Sequence, residues 1–270
     1  MSLVISKAVK LIDLVAAGRD TLAEIASESG MSRSTTHRLL ATLVAHNYLG
    51  IEGRRYTLGY RLLELGEQKK RSLSVVDALH DVLVRYAART TNTIHLAVLD
   101  KTDIVLLDRV AGTRQLQISS FIGMRTIACT SAVGKVLIAQ NDPATWPAYL
   151  RHMPTPYPKT RAQLLDELRT AQAKNYAVDF DECGVGTCGI AASFVAGNLR
   201  AACSINGASV YFADGALMDL VDVVHEMASE MEQVAMGIAT DIDLGSAQRQ
   251  GGEAKTSLPD RLSRSLGPAG

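Results

Sequence analysis

The chain has 270 residues, 47% hydrophobic and only 5% aromatic, enough apolar material for two ordinary globular domains with aliphatic cores. No run approaches the roughly 18 to 20 apolar residues needed to cross a membrane. A net charge of zero conceals a split: residues 1–72 carry 11 Lys and Arg against 7 Asp and Glu, so they balance at +4 and the remainder at −4. The N-terminal part therefore suits a polyanionic partner and the rest does not.

Residues 5–17 place Val9, Ile12 and Ala16 on one helical face, with Ala8, Leu11 and Val15 beside them, and Gly18 supplies a stop. Thr21 and Glu24 form a capping box that opens a helix over 22–29, ended by Gly30. Ser32 is placed to cap a second helix over 33–47. Two short β-prone runs between Tyr48 and Leu58 flank Glu52-Gly53, predicting a hairpin with arginines on its far side. After Gly59 a helical segment over 60–74 carries Leu62, Leu63 and Leu65, a dimer seam or an intrachain core, and ends in the charged run Gln68-Lys-Lys-Arg71. It is expected to link the domains.

Beyond it the pattern alternates. Helices are predicted over 73–90, 131–139, 160–174 and 214–236. Strands are predicted over 93–99, 104–110, 116–120, 177–179, 189–195 and 199–205. The order is not a strict βαβ series, so a mixed or antiparallel sheet flanked by helices is expected. Residues 241–270 hold few large apolar groups and are expected to be a disordered tail. The boundaries expected are a DNA-binding domain at 1–59, a linker helix at 60–74, a second domain at 75–240 and the tail.

Helix, glycine-bearing turn, helix is the skeleton of a helix-turn-helix, whose second helix enters the major groove by its N-terminal residues. Here that helix begins Ser32-Arg-Ser-Thr-Thr-His-Arg38 and continues with Leu39, Leu40, Leu43 and Val44, so one end is donor-rich and the other is core. Arg33 suits a bidentate contact to guanine and His37 a donation to a base edge. Ser34, Thr35 and Thr36 have the size for phosphate oxygens or thymine methyls. Arg38, Ser32 and the capping Thr21 complete the set on the helices. Arg54 and Arg55 on the hairpin would meet phosphates or the minor groove.

Several stretches now resemble one family. Ala23-Glu-Ile-Ala26, Gly30-Met-Ser-Arg-Ser-Thr-Thr-His-Arg-Leu-Leu-Ala-Thr-Leu43, Tyr56-Thr-Leu-Gly59, Thr130-Ser-Ala-Val-Gly-Lys-Val-Leu-Ile-Ala139, Asn175-Tyr-Ala-Val-Asp-Phe-Asp-Glu182 and Gly189-Ile-Ala-Ala192 are similar to the IclR transcription regulators. The likeness runs over about residues 5 to 237. It implies an α+β protein: a winged helix-turn-helix with a small β hairpin, then a GAF-like mixed α/β domain holding an effector pocket. It implies a homodimer or dimer of dimers on pseudo-palindromic operator DNA, and a repressor of a catabolic operon. The effector would be a small organic acid, aldehyde or lactone-derived molecule. The pocket positions it implies are Ala132 and Val133, with Cys129, Thr130 and Ser131 just upstream, where free amides at a helix start can bind an oxygen. They also include Asp179. A cysteine that faces the pocket in some relatives stands one residue early here, as Cys188 before Gly189, and a one-residue offset in a strand turns a side chain to the other face. An acid effector would repel an ionised Asp179, which favours an aldehyde, hydroxy acid or lactone-derived ligand; an Asp held by backbone amides is the alternative.

Other chemistries fit less well. Gly134-Lys135 is no phosphate loop, because Cys129 stands where the first glycine belongs, and Lys135 reads as a helix-surface charge or salt-bridge partner. The cysteines Cys129, Cys183, Cys188 and Cys203, with His95 and His225, lack zinc-ligand spacing, and no Cys, His and carboxylate follow a recognisable catalytic order. No cofactor, metal or enzymatic activity is expected. Lys7 and Lys10 interrupt any N-terminal apolar run, and no CxxC occurs. A cytoplasmic protein with reduced thiols and no membrane partner is expected. The rival function is a ligand-binding protein whose helix-turn-helix makes protein contacts.

Overall fold

A computed structural model describes residues 2–184 and 186–251, in two compact units, Met1–Ser74 and Val75–Gly270. In the first unit, α1 (Leu3–Ala16), α2 (Leu22–Ser29) and α3 (Arg33–Ala45) precede a hairpin of β1 (Leu49–Glu52) and β2 (Arg55–Leu58), then α4 (Tyr60–Arg71). Both predicted caps are formed: Thr21 and Glu24 make a full capping box, and the Ser32 hydroxyl accepts from the Thr35 amide. Gly30 closes α2 at φ +72°, a left-handed conformation that glycine adopts without steric cost. Leu11, Val15, Ile25, Leu40 and Leu49 form the small core. The phase of α1 differs from the sequence expectation. Leu11 and Val15 are its buried residues, while Val9 is half exposed.

The hairpin pairs Leu49 with Leu58 and Glu52 with Arg55. Its two-residue turn is therefore Gly53-Arg54, with Gly53 at φ +64°, as a right-handed twist requires. The Tyr56 amide donates to the Asp20 carbonyl at 2.7 Å, and the Arg55 guanidinium reaches Asp20 Oδ2 at 2.6 Å. One residue of the α1–α2 loop thus fixes the wing.

The second unit holds α5 (Ser74–Thr90) and strands β3 (Thr93–Asp100), β4 (Asp103–Val110) and β5 (Arg125–Ile127). Then come α6 (Ala132–Ala139), a short α7 (Trp146–Leu150), α8 (Arg161–Lys174), β6 (Ala177–Phe180), β7 (Thr187–Ala196), β8 (Leu199–Ala208) and α9 (Val221–Gly251). The six strands pair antiparallel throughout, in the order β5-β4-β3-β8-β7-β6. Side chains alternate across a strand. Ala97, Ala191 and Ala202 join the cluster around α6, while their neighbours Leu96, Ile190, Ala192 and Cys203 are buried toward the other face. There α9 packs on β7 and β8, and Arg89 of α5 clamps Glu226 of α9 with two 2.8 Å bonds.

The α+β class matches the expectation. The strand predicted over 116–120 is instead irregular chain, and the strand that follows β4 is β5. The run Leu116–Ser120 alternates, but no strand offers it a ladder; single residues tether it, Leu116 N–H to the Tyr211 hydroxyl at 3.0 Å and Gln117 Nε2 to the Gly112 carbonyl at 2.9 Å. Of the expected tail, residues 241–251 belong to α9 and 252–270 lie outside the described residues.

Gly134 is the third residue of α6, in its first turn, where a Cβ would stand 1.9 Å from the Ala128 carbonyl oxygen. That close approach lets the helix start fold back over the preceding turn. Gly134→Ala is expected to cost about 1–3 kcal/mol by overpacking, read as a lower urea midpoint with unchanged slope; an unchanged midpoint would refute the close approach.

Candidate functional site

The start of α3 is presented outward. Ser32, Arg33, Ser34, His37 and Arg38 are exposed, and Thr35 is half-buried. Neither Arg33 nor Arg38 has a carboxylate within salt-bridge distance among the described residues. Thr36 departs from the expectation: it is fully buried, and its hydroxyl donates to the Ser32 carbonyl at 3.1 Å. Helical periodicity puts it on the core side with Leu40, one turn on, so it cannot touch a groove. Thr21 is half-buried, its hydroxyl bonded to Glu24. On the wing, Arg54 is exposed at the turn, whereas Arg55 spends its guanidinium on Asp20.

In the second unit, a cavity of about 90 Å³ opens between the β3–β4 end of the sheet, the β6–β7 hairpin and the head of α6. Ser131, Ala132, Val133, Asp179 and Cys188 line it. Cys129, Thr130 and Gly189 do not. Cys129 belongs to the core cluster around α6, and Thr130 turns its hydroxyl to the Ile127 carbonyl at 2.8 Å. Asp179, Gly189 and Asn206 stand in one row across β6, β7 and β8. A side chain at Gly189 would meet Asn206 Oδ1 at 2.4 Å, so Asn206 fills that place in the wall. The Cys188 thiol, one residue away, points to the Gly207 carbonyl at 3.8 Å.

The helix start is more occupied than expected. Asp179 Oδ2 accepts from the Ala132 amide at 2.8 Å, and Ser131 Oγ accepts from the Gly134 amide at 3.1 Å. Of the first three amides of α6, the Val133 N–H alone has no partner among the described residues. Burial pushes the Asp179 carboxyl up to about 7, against the pull of the Ala132 amide and Lys135. A raised folded value means that Asp179 favours the fold most below its unfolded range near 4. That contribution is lost as pH rises through about 7. Asp179→Asn keeps the acceptor but does not ionise, so it should gain on the wild type between pH 5 and pH 8 by up to a few kcal/mol. Urea unfolding at the two pH values tests this; a constant gap would contradict it.

Sequence reasoning missed the opposite wall. His95 of β3 bonds Ser120 Oγ through Nε2 at 2.9 Å. Burial and Arg109 lower its pKa to about 4, leaving a neutral ring at pH 7. Ile104, Leu106, Ile118 and Met124 supply the apolar lining. Lys135 is the salt-bridge partner, not the surface charge, of the two expected readings. It is 1% exposed, not on the helix surface, and its ammonium bonds Glu182 at 2.6 Å, Glu167 at 2.7 Å and the Val178 carbonyl at 2.9 Å. Lys159 and the Tyr157 hydroxyl also reach Glu182, at 2.7 and 2.5 Å. Burial alone would raise Glu182, but Lys135 and these bonds hold it below the usual carboxylate range. Among the described residues no group of His, Cys, Asp and Glu is arranged to hold a metal ion, and no helix is long and apolar enough to cross a membrane.

Residues 4–50 match the IclR helix-turn-helix domain, and residues 68–233 match the bacterial transcriptional regulator IclR C-terminal domain. The chain belongs to the IclR family. It is 31% identical to the HTH-type transcriptional regulator XynR of Escherichia coli over 187 residues, 66% of this chain and 74% of that one. It is 25% identical to the acetate operon repressor of Salmonella typhimurium over 84% of this chain and 88% of that one. Its fold superposes, at a TM-score of 0.74 and 21% identity, on an IclR homologue of Microbacterium hydrocarbonoxydans solved with 4-hydroxybenzoate. That match covers 87% of this chain and 99% of the homologue. This IclR protein is therefore a transcription regulator with a helix-turn-helix DNA-binding domain.

Proposed function

We propose that this regulator represses a catabolic operon by holding paired α3 helices in successive major grooves of its operator, as a homodimer or dimer of dimers in the cytoplasm. The observation that carries the reading is the start of α3: two arginines and a histidine stand exposed, with no acid to neutralise them among the described residues. Ser32, Arg33, Ser34, Thr35, His37 and Arg38 face the DNA, Thr21 lies beside the backbone, and Arg54 meets it from the wing. Residues 1–59 read, 60–74 connect and 75–240 sense.

The effector occupies the cavity at the head of α6. Its small volume and apolar side wall suit a compact molecule. One oxygen takes the open Val133 amide, and a hydroxyl or hydrated carbonyl donates to Asp179. Hydroxy acids, aldehydes and lactone-derived compounds have both features. Binding shifts the equilibrium between DNA-competent and incompetent arrangements by about 1–3 kcal/mol.

Gel shifts with the upstream intergenic duplex test the first statement, and a thermal-shift screen of small acids, 4-hydroxybenzoate included, with semialdehydes and lactones tests the second. A screening hit should weaken the retarded complex. Absence of any retarded complex would transfer the helix-turn-helix to protein contacts.

A further inference from the structure

The first unit holds an open cleft of about 440 Å³ between α1 and the turn before α3. Ser6, Lys7 and Lys10 of α1 line one side, and Ser29, Ser32 and Thr35 the other; no Asp or Glu lines it. Four other exposed cations of this unit are answered by carboxylates. Arg19 faces Glu28, Arg55 faces Asp20, Arg61 faces Glu64 and Arg71 faces Glu67. Lys7 and Lys10 face no carboxylate among the described residues. The Lys10 ammonium is instead fixed over the turn by one bond to the Ser29 carbonyl at 3.0 Å. That bond neutralises nothing and leaves two N–H donors for another acceptor.

We propose that this cleft seats a backbone phosphate of the DNA strand that borders the groove receiving α3. The inference rests on the reading that α3 enters the major groove. The cleft adjoins Ser32 and Thr35, at the same end of α3 as Arg33 and Ser34, so the strand flanking that groove passes over it. Two lysines and small hydroxyl side chains fit a phosphate and carry no base information, so the cleft sets position and affinity, not sequence choice.

The test is the salt dependence of duplex binding by the full chain, for the wild type, Lys7→Gln/Lys10→Gln and the charge-retaining Lys7→Arg/Lys10→Arg. Losing one phosphate contact should lower the slope of log K against log salt by about 1. Binding should weaken several-fold, by the same factor on operator and on unrelated duplex, and the arginine pair should restore the slope. If the glutamine pair loses its circular dichroism signal, Lys7→Gln alone, which keeps the Lys10–Ser29 bond, carries the measurement. An unchanged slope in a folded variant, with the wild type binding normally, overturns the cleft and leaves the regulator reading intact. A wild type that binds no duplex overturns that reading itself. A melting temperature raised by inorganic phosphate in the wild type only, with an unchanged slope, would make the cleft a free-anion site and also overturn the assignment.

Discussion

Glu182→Ala should destabilise the second unit by about 3–5 kcal/mol, the usual result of stripping one partner from a buried ion pair. Glu182 and Lys135 are each 1% exposed at the side chain. Removing the carboxylate leaves the Lys135 ammonium with Glu167, itself shared with Lys159, and the Val178 carbonyl. It also leaves the Tyr157 hydroxyl with only the Cys129 carbonyl, at 3.5 Å. Lys135→Met should cost a comparable amount, because Glu167 and buried Glu182 are then left to share Lys159 alone. The two changes are in direct contact, so they should not add: Lys135→Met/Glu182→Leu should lose clearly less than the sum of the single variants. Urea unfolding of the four proteins gives the coupling energy. Additive losses would mean that Lys135 and Glu182 are solvated and independent, contrary to their burial.

Arg33→Ala should weaken operator binding by about 1–3 kcal/mol and relax the preference for one base pair, as losing a bidentate base contact does. Arg54→Ala, at the tip of the wing, should act differently. It should weaken binding to operator and unrelated duplex alike and lower the salt slope by about 1. Fluorescence anisotropy with both duplexes at several salt concentrations separates the two. Equal losses on both duplexes from Arg33→Ala would show that this side chain meets only the backbone. Thr36→Ala marks the boundary of the reading face: its hydroxyl is spent inside the helix on Ser32, so affinity should hold.

Local chemistry was the legible part. The Thr21/Glu24 box follows from residues three apart, and it is formed. The αL glycines at 30 and 53 likewise sit where their turns need them. Faces and long-range partners were harder to read. Leu3, Val4 and Ile5 are apolar yet exposed, which blurs the periodicity of α1 and shifts its apparent buried stripe by one position. Lys135 finds its acids 32 and 47 residues away, a separation that no periodic pattern encodes, so a lysine in an apolar helix reads as solvent-facing. His95, Ser120 and Asn206 meet only because β8 inserts beside β3 and an unpaired loop crosses the sheet end. The family resemblance supplied Asp179 and the head of α6, but not the bond between them.

That bond caps the head of α6 from within the protein. The carboxylate at position 179 already sits where an acidic inducer would seek the helix dipole, so such a visitor competes with a tethered rival or must arrive as the rival becomes neutral. Capture of an acid would then be accompanied by uptake of a proton, and sensitivity of the switch would sharpen as the cell interior acidifies below neutrality. A lactone or aldehyde would escape this coupling, so the pH dependence of induction distinguishes the two chemistries without a ligand-bound structure.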